Sequence, residues 1–139
     1  MKSLLIFLTG FYLIYVSSSN LIGGWRTVDD LNAPLILKYA QMGINKLSSS
    51  IHSAFHLKVM NITHACKQVV SGMKYNMTVQ LAPSNCSRAN TYTEEEFESC
   101  GVPKCDHPLV CNITLWVKPW LDDPVKLTRT ECDYGDRFC

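Results

Sequence analysis

Histidines close to cysteines are the residues of this chain whose types could carry out nucleophilic chemistry. His52, His56 and His64 precede Cys66 along the chain, and a thiol beside an imidazole base can act as a nucleophile. Cysteines of secreted chains mostly form disulfides, however, and histidines scattered along a strand-like segment are mostly surface or satisfied core residues. We therefore expect no catalytic residue.

Metal, cofactor and phosphate chemistry is not indicated either. Cys100 and Cys105 with His107 lack the second compact ligand pair that a zinc site needs. The chain contains no glycine-rich phosphate loop, and the acidic run at residues 94–96 is most simply a solvated charge cluster. We expect neither a metal nor a cofactor.

An uncharged turn is the first candidate for binding. It consists of Gln68, Val69, Val70, Ser71 and Gly72. Because it carries no charge, inserting it into a cleft requires little desolvation of polar side chains. Gly72 allows a tight reversal of the backbone, and the two valines offer stiff apolar bulk.

Trp120 is the second candidate. It follows Pro119 in a turn that ends at Pro124, where a large aromatic is poorly placed to join a core. A protruding tryptophan is a typical interface anchor, and burying it in a partner contributes about 2–4 kcal/mol. The alternative is a tryptophan that folds back onto its own sheet.

The start of the chain has the pattern of a cleaved signal peptide. Lys2 precedes an apolar run at residues 4–16, and small residues follow at 17–19. The run is too short to span a bilayer comfortably, although an uncleaved anchor is the alternative. We predict a signal peptide at residues 1–19 and one secreted, extracellular domain at 20–139, with no membrane partner for the mature chain.

The mature chain is balanced in charge and rich in cysteine. Without Lys2 it has twelve basic and twelve acidic side chains, which argues against nucleic acid or an anionic membrane as a partner. All seven cysteines follow residue 19, as in a disulfide framework. Sequons predict glycosylation at Asn61, Asn76, Asn85 and Asn112, and Asn85 is the weakest because Cys86 occupies its middle position.

A helix is predicted over residues 30–48. Thr27, Asp29 and Asp30 offer helix-start chemistry, and Pro34 is tolerable within a first turn. Apolar residues then recur at helical spacing and form one stripe. The stripe consists of Ile36, Ala40, Gly43, Ile44 and Leu47.

From Ile51 onward the apolar pattern has period two and predicts strands. Its phase becomes unclear around Asn61, which suggests a bulge or a break before Gln68. Clean alternation follows at residues 73–81 and 111–117, and a final strand is predicted at 125–132. Residues 83–110 are predicted to be an irregular excursion with one short helical turn, which a capping box between Thr93 and Glu96 would start. These elements predict an α+β fold, with the helix wrapped by an antiparallel sheet.

In this order the features resemble the secreted (type 2) cystatins. Residues 68–72 look like the Gln-x-Val-x-Gly signature of that family, Pro119 and Trp120 its second hairpin, and residues 21–24 its amino-terminal segment. Tyr39-Ala40 and Asn45-Lys46 look like cystatin helix residues. The resemblance covers most of the mature chain and implies a cystatin-like fold, one long α-helix wrapped by a four- to five-stranded antiparallel β-sheet.

The resemblance implies a reversible, tight-binding, non-covalent inhibitor of papain-like cysteine peptidases, cathepsin L-like and cathepsin B-like ones included, that acts as a monomer. Leu21 and Ile22 would lie in the non-primed pockets, and Gly23 would turn the chain away from the catalytic thiolate. The two hairpin turns would fill the primed side. The alternatives are a non-inhibitory cystatin-fold binding or signalling module, which tends to lose the glycine or the hairpin signature, and a secreted enzyme using Cys66.

The resemblance also implies two disulfides, Cys86–Cys100 and Cys111–Cys132. Cys105 could replace Cys100, or it could pair with Cys139. Cys66 would then be a free thiol or a link between two chains. Residues 48–50 are serines where some family members carry a legumain-binding asparagine, so legumain inhibition is doubtful, and residues 51–68 form a longer segment than usual.

Overall fold

The computed structural model describes residues 23–48 and 50–133. The predictions made for residues 1–19, for Leu21 and Ile22, and for Cys139 lie outside the described residues. Along the chain the elements are β1 (Arg26–Thr27), α1 (Pro34–Leu47), β2 (Phe55–Val70), β3 (Gly72–Ser87), α2 (Glu94–Glu98), β4 (Leu109–Val117) and β5 (Val125–Asp133).

The strands form one antiparallel sheet in the order β1-β2-β3-β4-β5, and α1 packs against one face of it. Each strand therefore pairs with its neighbour in sequence. The predicted α+β fold with a helix on an antiparallel sheet is confirmed.

The apolar stripe of α1 faces the sheet as predicted. All five of its residues are buried, and at Gly43 the helix comes so close that a Cβ would collide with the side chain of Leu115. The predicted start of the helix was wrong by four residues. The helix begins at Pro34, and the preceding Ala33 is extended, with φ −54° and ψ 130°. A proline fits the first helical position because its missing N–H has no partner there, and it pushes the residue before it out of the helical region.

Asp30 has a different role from the predicted one. Its Oδ1 accepts a hydrogen bond from the backbone N–H of Asn32 at 3.0 Å, which forms a turn ahead of the helix. The short α2 does begin as predicted, because Thr93 and Glu96 form a complete capping box.

The sheet contributes the other half of the core through buried residues that alternate along its strands with outward-facing ones. Tyr75, Met77, Val79 and Leu81 on β3 are buried, and so is every second residue of β4. The register of β2 against β3 shifts next to Asn61, so the predicted bulge is confirmed. The alternative of a break was wrong, because β2 continues to Val70, and β3 continues to Ser87, beyond the alternation seen in the sequence.

Two disulfides match the pairing that the resemblance implied. Cys86–Cys100 joins the end of β3 to the segment after α2. Cys111–Cys132 crosses between β4 and β5 at a directly paired position. Cys105 is disulfide-bonded as well, and among the described cysteines Cys66 is not.

Candidate functional site

Three segments meet at one end of the sheet. Arg26 pairs with Lys67, so the chain before β1 runs beside the last residues of β2. The β2–β3 turn lies at Ser71, and Val117 at the end of β4 pairs with Met73 just after that turn. The β4–β5 turn follows immediately. We call this end the rim, made up of Gly23, residues 68–72 and residues 119–121.

The first turn of the rim depends on Gly72. Its φ is +87°, a backbone conformation that residues other than glycine rarely adopt. A Cβ at this position would also collide with the carbonyl oxygen of Val117 on β4. The turn therefore packs closely against the neighbouring strand, while Val69 on its other limb keeps 65% of its surface exposed.

Gln68 joins the first turn to the segment before β1. Its side-chain amide donates a hydrogen bond to the carbonyl oxygen of Gly23. Gly23 itself has φ +94°, so the chain bends sharply at the point where Gln68 holds it. The glutamine of the first turn thus positions the end of the amino-terminal segment.

The second turn presents Trp120 to solvent. Its base is closed by hydrogen bonds from Lys118 N to the Pro124 carbonyl at 2.7 Å and from Leu121 N to the Lys118 carbonyl at 3.1 Å. Trp120 is 64% exposed and Leu121 is 48% exposed. The tryptophan therefore projects from the turn and does not fold back onto the sheet.

Trp116 is a rim-supporting residue that the sequence reasoning missed. Its indole N–H donates to the carbonyl oxygen of Ser71 at 2.8 Å, and the ammonium group of Lys118 lies 3.8 Å from its ring centroid. It thus connects the first turn to the base of the second. The available signal was an aromatic in the outward phase of β4, next to the polar residues Asn112 and Thr114 of the same phase.

Lys46, which belongs to the family resemblance, makes a contact that the sequence did not indicate. Its ammonium group contacts the carboxylate of Asp123 at 2.6 Å and also donates to the carbonyl oxygen of Val125. The last turn of α1 is thereby tied to the turn that carries Trp120. A lysine near a helix end is too common for the sequence to have indicated this partner.

The structure brings one histidine and one cysteine together. His64 Nε2 lies 3.3 Å from Cys66 Sγ on the outward face of β2, which their spacing of two along one strand is enough to explain. Cys66 is half-buried and sits opposite Thr27 and Asn76 on the two adjacent strands. No group of three or more potential metal ligands occurs among residues 23–48 and 50–133.

The core beneath the rim holds a buried phenol. Tyr75 packs against Tyr39 of α1, with ring centroids 5.8 Å apart. Burial raises the pKa of Tyr75 above its ordinary value, and the nearby Tyr39 raises it further. The neutral phenol is therefore part of the contact between helix and sheet.

Comparison with known proteins gives consistent results. Residues 23–120 match the Cystatin domain. The chain is 30% identical to Cystatin-1 of Chilobrachys guangxiensis over the full length of both, and 27% identical to a cystatin of Pseudonaja textilis over 87% of this chain and 88% of that one.

Two solved structures share the fold. Dimeric human cystatin F superposes with a TM-score of 0.70 at 24% identity, over 85% of this chain and 92% of its own. The salivary cystatin of the soft tick Ornithodoros moubata superposes with a TM-score of 0.66 at 24% identity, over 81% of this chain and 98% of its own.

In the part of the chain that the structure describes, no helix is long and apolar enough to cross a membrane.

Proposed function

Because the chain belongs to the cystatin family, whose members are protease inhibitors and not enzymes, we propose that it inhibits papain-like cysteine peptidases reversibly, tightly and without covalent chemistry. Cathepsin L-like and cathepsin B-like peptidases are the expected partners, and the inhibitor acts as a monomer. One observation carries the proposal. Gly23, the uncharged turn at residues 68–72 and the exposed Trp120 lie at the same end of one sheet.

The mechanism is occlusion of the active-site cleft by shape. Leu21 and Ile22 occupy the non-primed pockets in the manner of a substrate, and Gly23 turns the chain away from the catalytic thiolate. The positive φ of Gly23 and its hydrogen bond from Gln68 support this path. Since no peptide bond is presented to the nucleophile in an attack geometry, the inhibitor is not cleaved.

The two hairpin turns fill the primed side of the cleft. Val69, Val70 and Trp120 supply the apolar surface, with Gln68, Ser71, Gly72 and Pro119 completing the contact. The turns need little ordering on binding because Gly72, Trp116 and Lys46 already hold them in place. A pre-organised binding surface loses less conformational entropy than a flexible peptide does.

The inhibitor acts outside the cell that makes it. Residues 1–19 direct secretion and are removed, and residues 20–139 form the mature domain. The disulfides Cys86–Cys100 and Cys111–Cys132 suit an oxidising compartment. Serines at 48 and 50 leave no asparagine there for a legumain contact, so we do not extend the proposal to legumain.

Titration of active papain with the purified mature chain tests the proposal. Residual activity should fall in proportion to added protein until the two are equimolar, and it should return when the complex is diluted into excess substrate. Mass spectrometry of the recovered inhibitor should show an intact chain. Full papain activity at a large molar excess would refute the proposal, and trypsin, which uses a serine nucleophile, serves as the control peptidase that should be unaffected.

A truncated chain tests the amino-terminal segment separately. Deleting residues 20–22 should raise the dissociation rate from papain, because the non-primed contacts are lost while the two hairpin turns remain. An identical dissociation rate would exclude the segment from the interface and leave the hairpins as the whole inhibitor.

A further inference from the structure

Two of the predicted glycosylation sequons lie directly against each other in the sheet. Residues 76–78 are on β3 and residues 112–114 are on β4, and the middle residue of each is buried. Because successive side chains of a strand point to opposite faces, the outer two residues of both sequons share the outward face. The pairing places Asn76 opposite Thr114 and Thr78 opposite Asn112.

These four residues, which we call the sequon pair, bond to one another. The amide nitrogen of Asn76 donates to Asn112 Oδ1 at 3.0 Å and to Thr114 Oγ1 at 3.1 Å. The amide nitrogen of Asn112 donates to Asn76 Oδ1 and to Thr78 Oγ1, each at 3.4 Å. An asparagine amide has two hydrogens, so both asparagines use both of theirs within the pair.

Attachment of a glycan removes one of those hydrogens. The amide nitrogen forms a bond to the anomeric carbon of an oligosaccharide carried on a lipid diphosphate, the bond from that carbon to the diphosphate oxygen breaks, and the lipid diphosphate leaves. The electron pair of the broken bond stays on the leaving diphosphate oxygen, the nitrogen releases one proton that solvent carries to that diphosphate, and the nitrogen keeps one hydrogen. A glycan on either asparagine therefore removes one bond of the pair and places a sugar beside the other amide.

A second glycan would not fit the paired arrangement. One sugar can turn outward with its own amide, but two sugars would have to leave from amides whose nitrogen and oxygen atoms lie only 3.0 to 3.4 Å apart, which is closer than two pyranose rings can lie side by side. We propose that Asn76 and Asn112 form one glycan site, so that each folded molecule carries a glycan on one of the two and never on both. The glycan is transferred before β3 pairs with β4, because in the folded sheet all amide hydrogens of Asn76 and Asn112 are already used in hydrogen bonds within the sequon pair.

The test uses the full chain expressed in a eukaryotic secretory host, in an Asn61→Gln, Asn85→Gln background so that all glycan mass comes from the pair. Intact mass of the secreted protein counts glycans per molecule. Enzymatic release in heavy-oxygen water then marks the asparagine that carried each one. One glycan per molecule is the expected result, and either two glycans on one molecule or none would overturn the proposal.

Single variants test whether the two positions are alternatives. In the same background, Asn76→Gln should leave one glycan on Asn112, and Asn112→Gln should leave one on Asn76. A variant whose remaining asparagine is bare would contradict a shared site. Thr78→Ala and Thr114→Ala, which abolish one sequon each but keep both asparagines, repeat the comparison in case the glutamine variants fold poorly. The outcome is independent of papain inhibition.

Discussion

Lys46 in the last turn of α1 holds Asp123 in the turn between β4 and β5, with its ammonium group 2.6 Å from both carboxylate oxygens. The same group donates to the carbonyl oxygen of Val125 where β5 begins. The helix, which contributes no residue to the rim, is thereby attached to the turn that presents Trp120.

Breaking this tether should affect inhibition more than stability. The side chain of Asp123 is 72% exposed, and exposed ion pairs contribute about 0.2–1 kcal/mol to folding. Asp123→Asn, which removes only the ion pair, should therefore lower the free energy of unfolding by less than about 1 kcal/mol while raising the dissociation rate from papain several-fold. Lys46→Ala also removes the hydrogen bond to Val125, so it should lower the free energy of unfolding and raise the dissociation rate further, and the double variant should add little to Lys46→Ala.

Lys38→Ala is the matched control for the tether. Lys38 forms an exposed ion pair with Glu94 at 3.1 Å, which joins α1 to α2 and not to the second turn. Its loss should leave the dissociation rate unchanged. If Lys38→Ala and Lys46→Ala altered dissociation equally, the proposed positioning of the second turn would be wrong.

Trp120 should be the strongest single contact of the rim. Truncating a tryptophan anchor costs about 2–4 kcal/mol of binding, so Trp120→Ala should raise the inhibition constant about 30- to 700-fold. Its free energy of unfolding should hardly change, because the side chain is 64% exposed. Leu35→Ala removes another exposed apolar side chain, 54% exposed on α1, and should leave inhibition intact. Unchanged inhibition by Trp120→Ala would argue against the rim as the inhibitory surface.

Gly72→Ala should damage both the fold and the inhibitor. A non-glycine residue at such a positive φ costs about 1–3 kcal/mol, and the added Cβ would also collide with the backbone of Val117, which cannot move without shifting β4. The urea midpoint should fall, with weaker inhibition of papain. Gly101→Ala is the control, since only the side chain of Asn85 lies near its Cβ position, at 3.3 Å. Equal urea midpoints for the two variants would refute this account.

Tyr75 should make the protein sensitive to alkaline pH. Burial raises its pKa above the ordinary value of 10.0, so the folded chain keeps the phenolic proton at pH values where the unfolded chain releases it. The free energy of unfolding contributed by this group is complete below about pH 10 and declines as pH rises through the folded pKa. Urea unfolding at a series of pH values should show this decline.

Tyr75→Phe should flatten that decline. Tyr39→Phe, which removes only the lesser cause of the raised pKa, should retain most of it. Cys66 is alkylated in all variants so that thiol–disulfide exchange does not contribute at high pH. The same alkaline slope in Tyr75→Phe as in the parent protein would assign the effect to other groups.

Local patterns in the sequence predicted the helix and the strands well, because the spacing of apolar residues within a segment depends on which face of that segment packs against the core. The helical stripe from Ile36 to Leu47 and the alternation from Tyr75 to Leu81 are of this kind. The predicted helix start was wrong because Asp29 and Asp30 can accept backbone hydrogen bonds in a turn as readily as at the start of a helix. The proline at residue 34 set the actual boundary. The end of β3 was missed because residues 82–87 do not alternate cleanly.

By itself the sequence determined the periodicities, the uncharged first turn, the tryptophan of the second turn and the family resemblance. Only the tertiary structure decided that Gly23 meets Gln68, that Trp116 reaches Ser71, that Lys46 reaches Asp123 and that the two sequons face each other. The periodicity of apolar residues depends on which side of a segment faces the core, and residues close together in the sequence are enough to define it. Contacts between distant segments depend on strand register, which is set by the summed packing of the whole sheet.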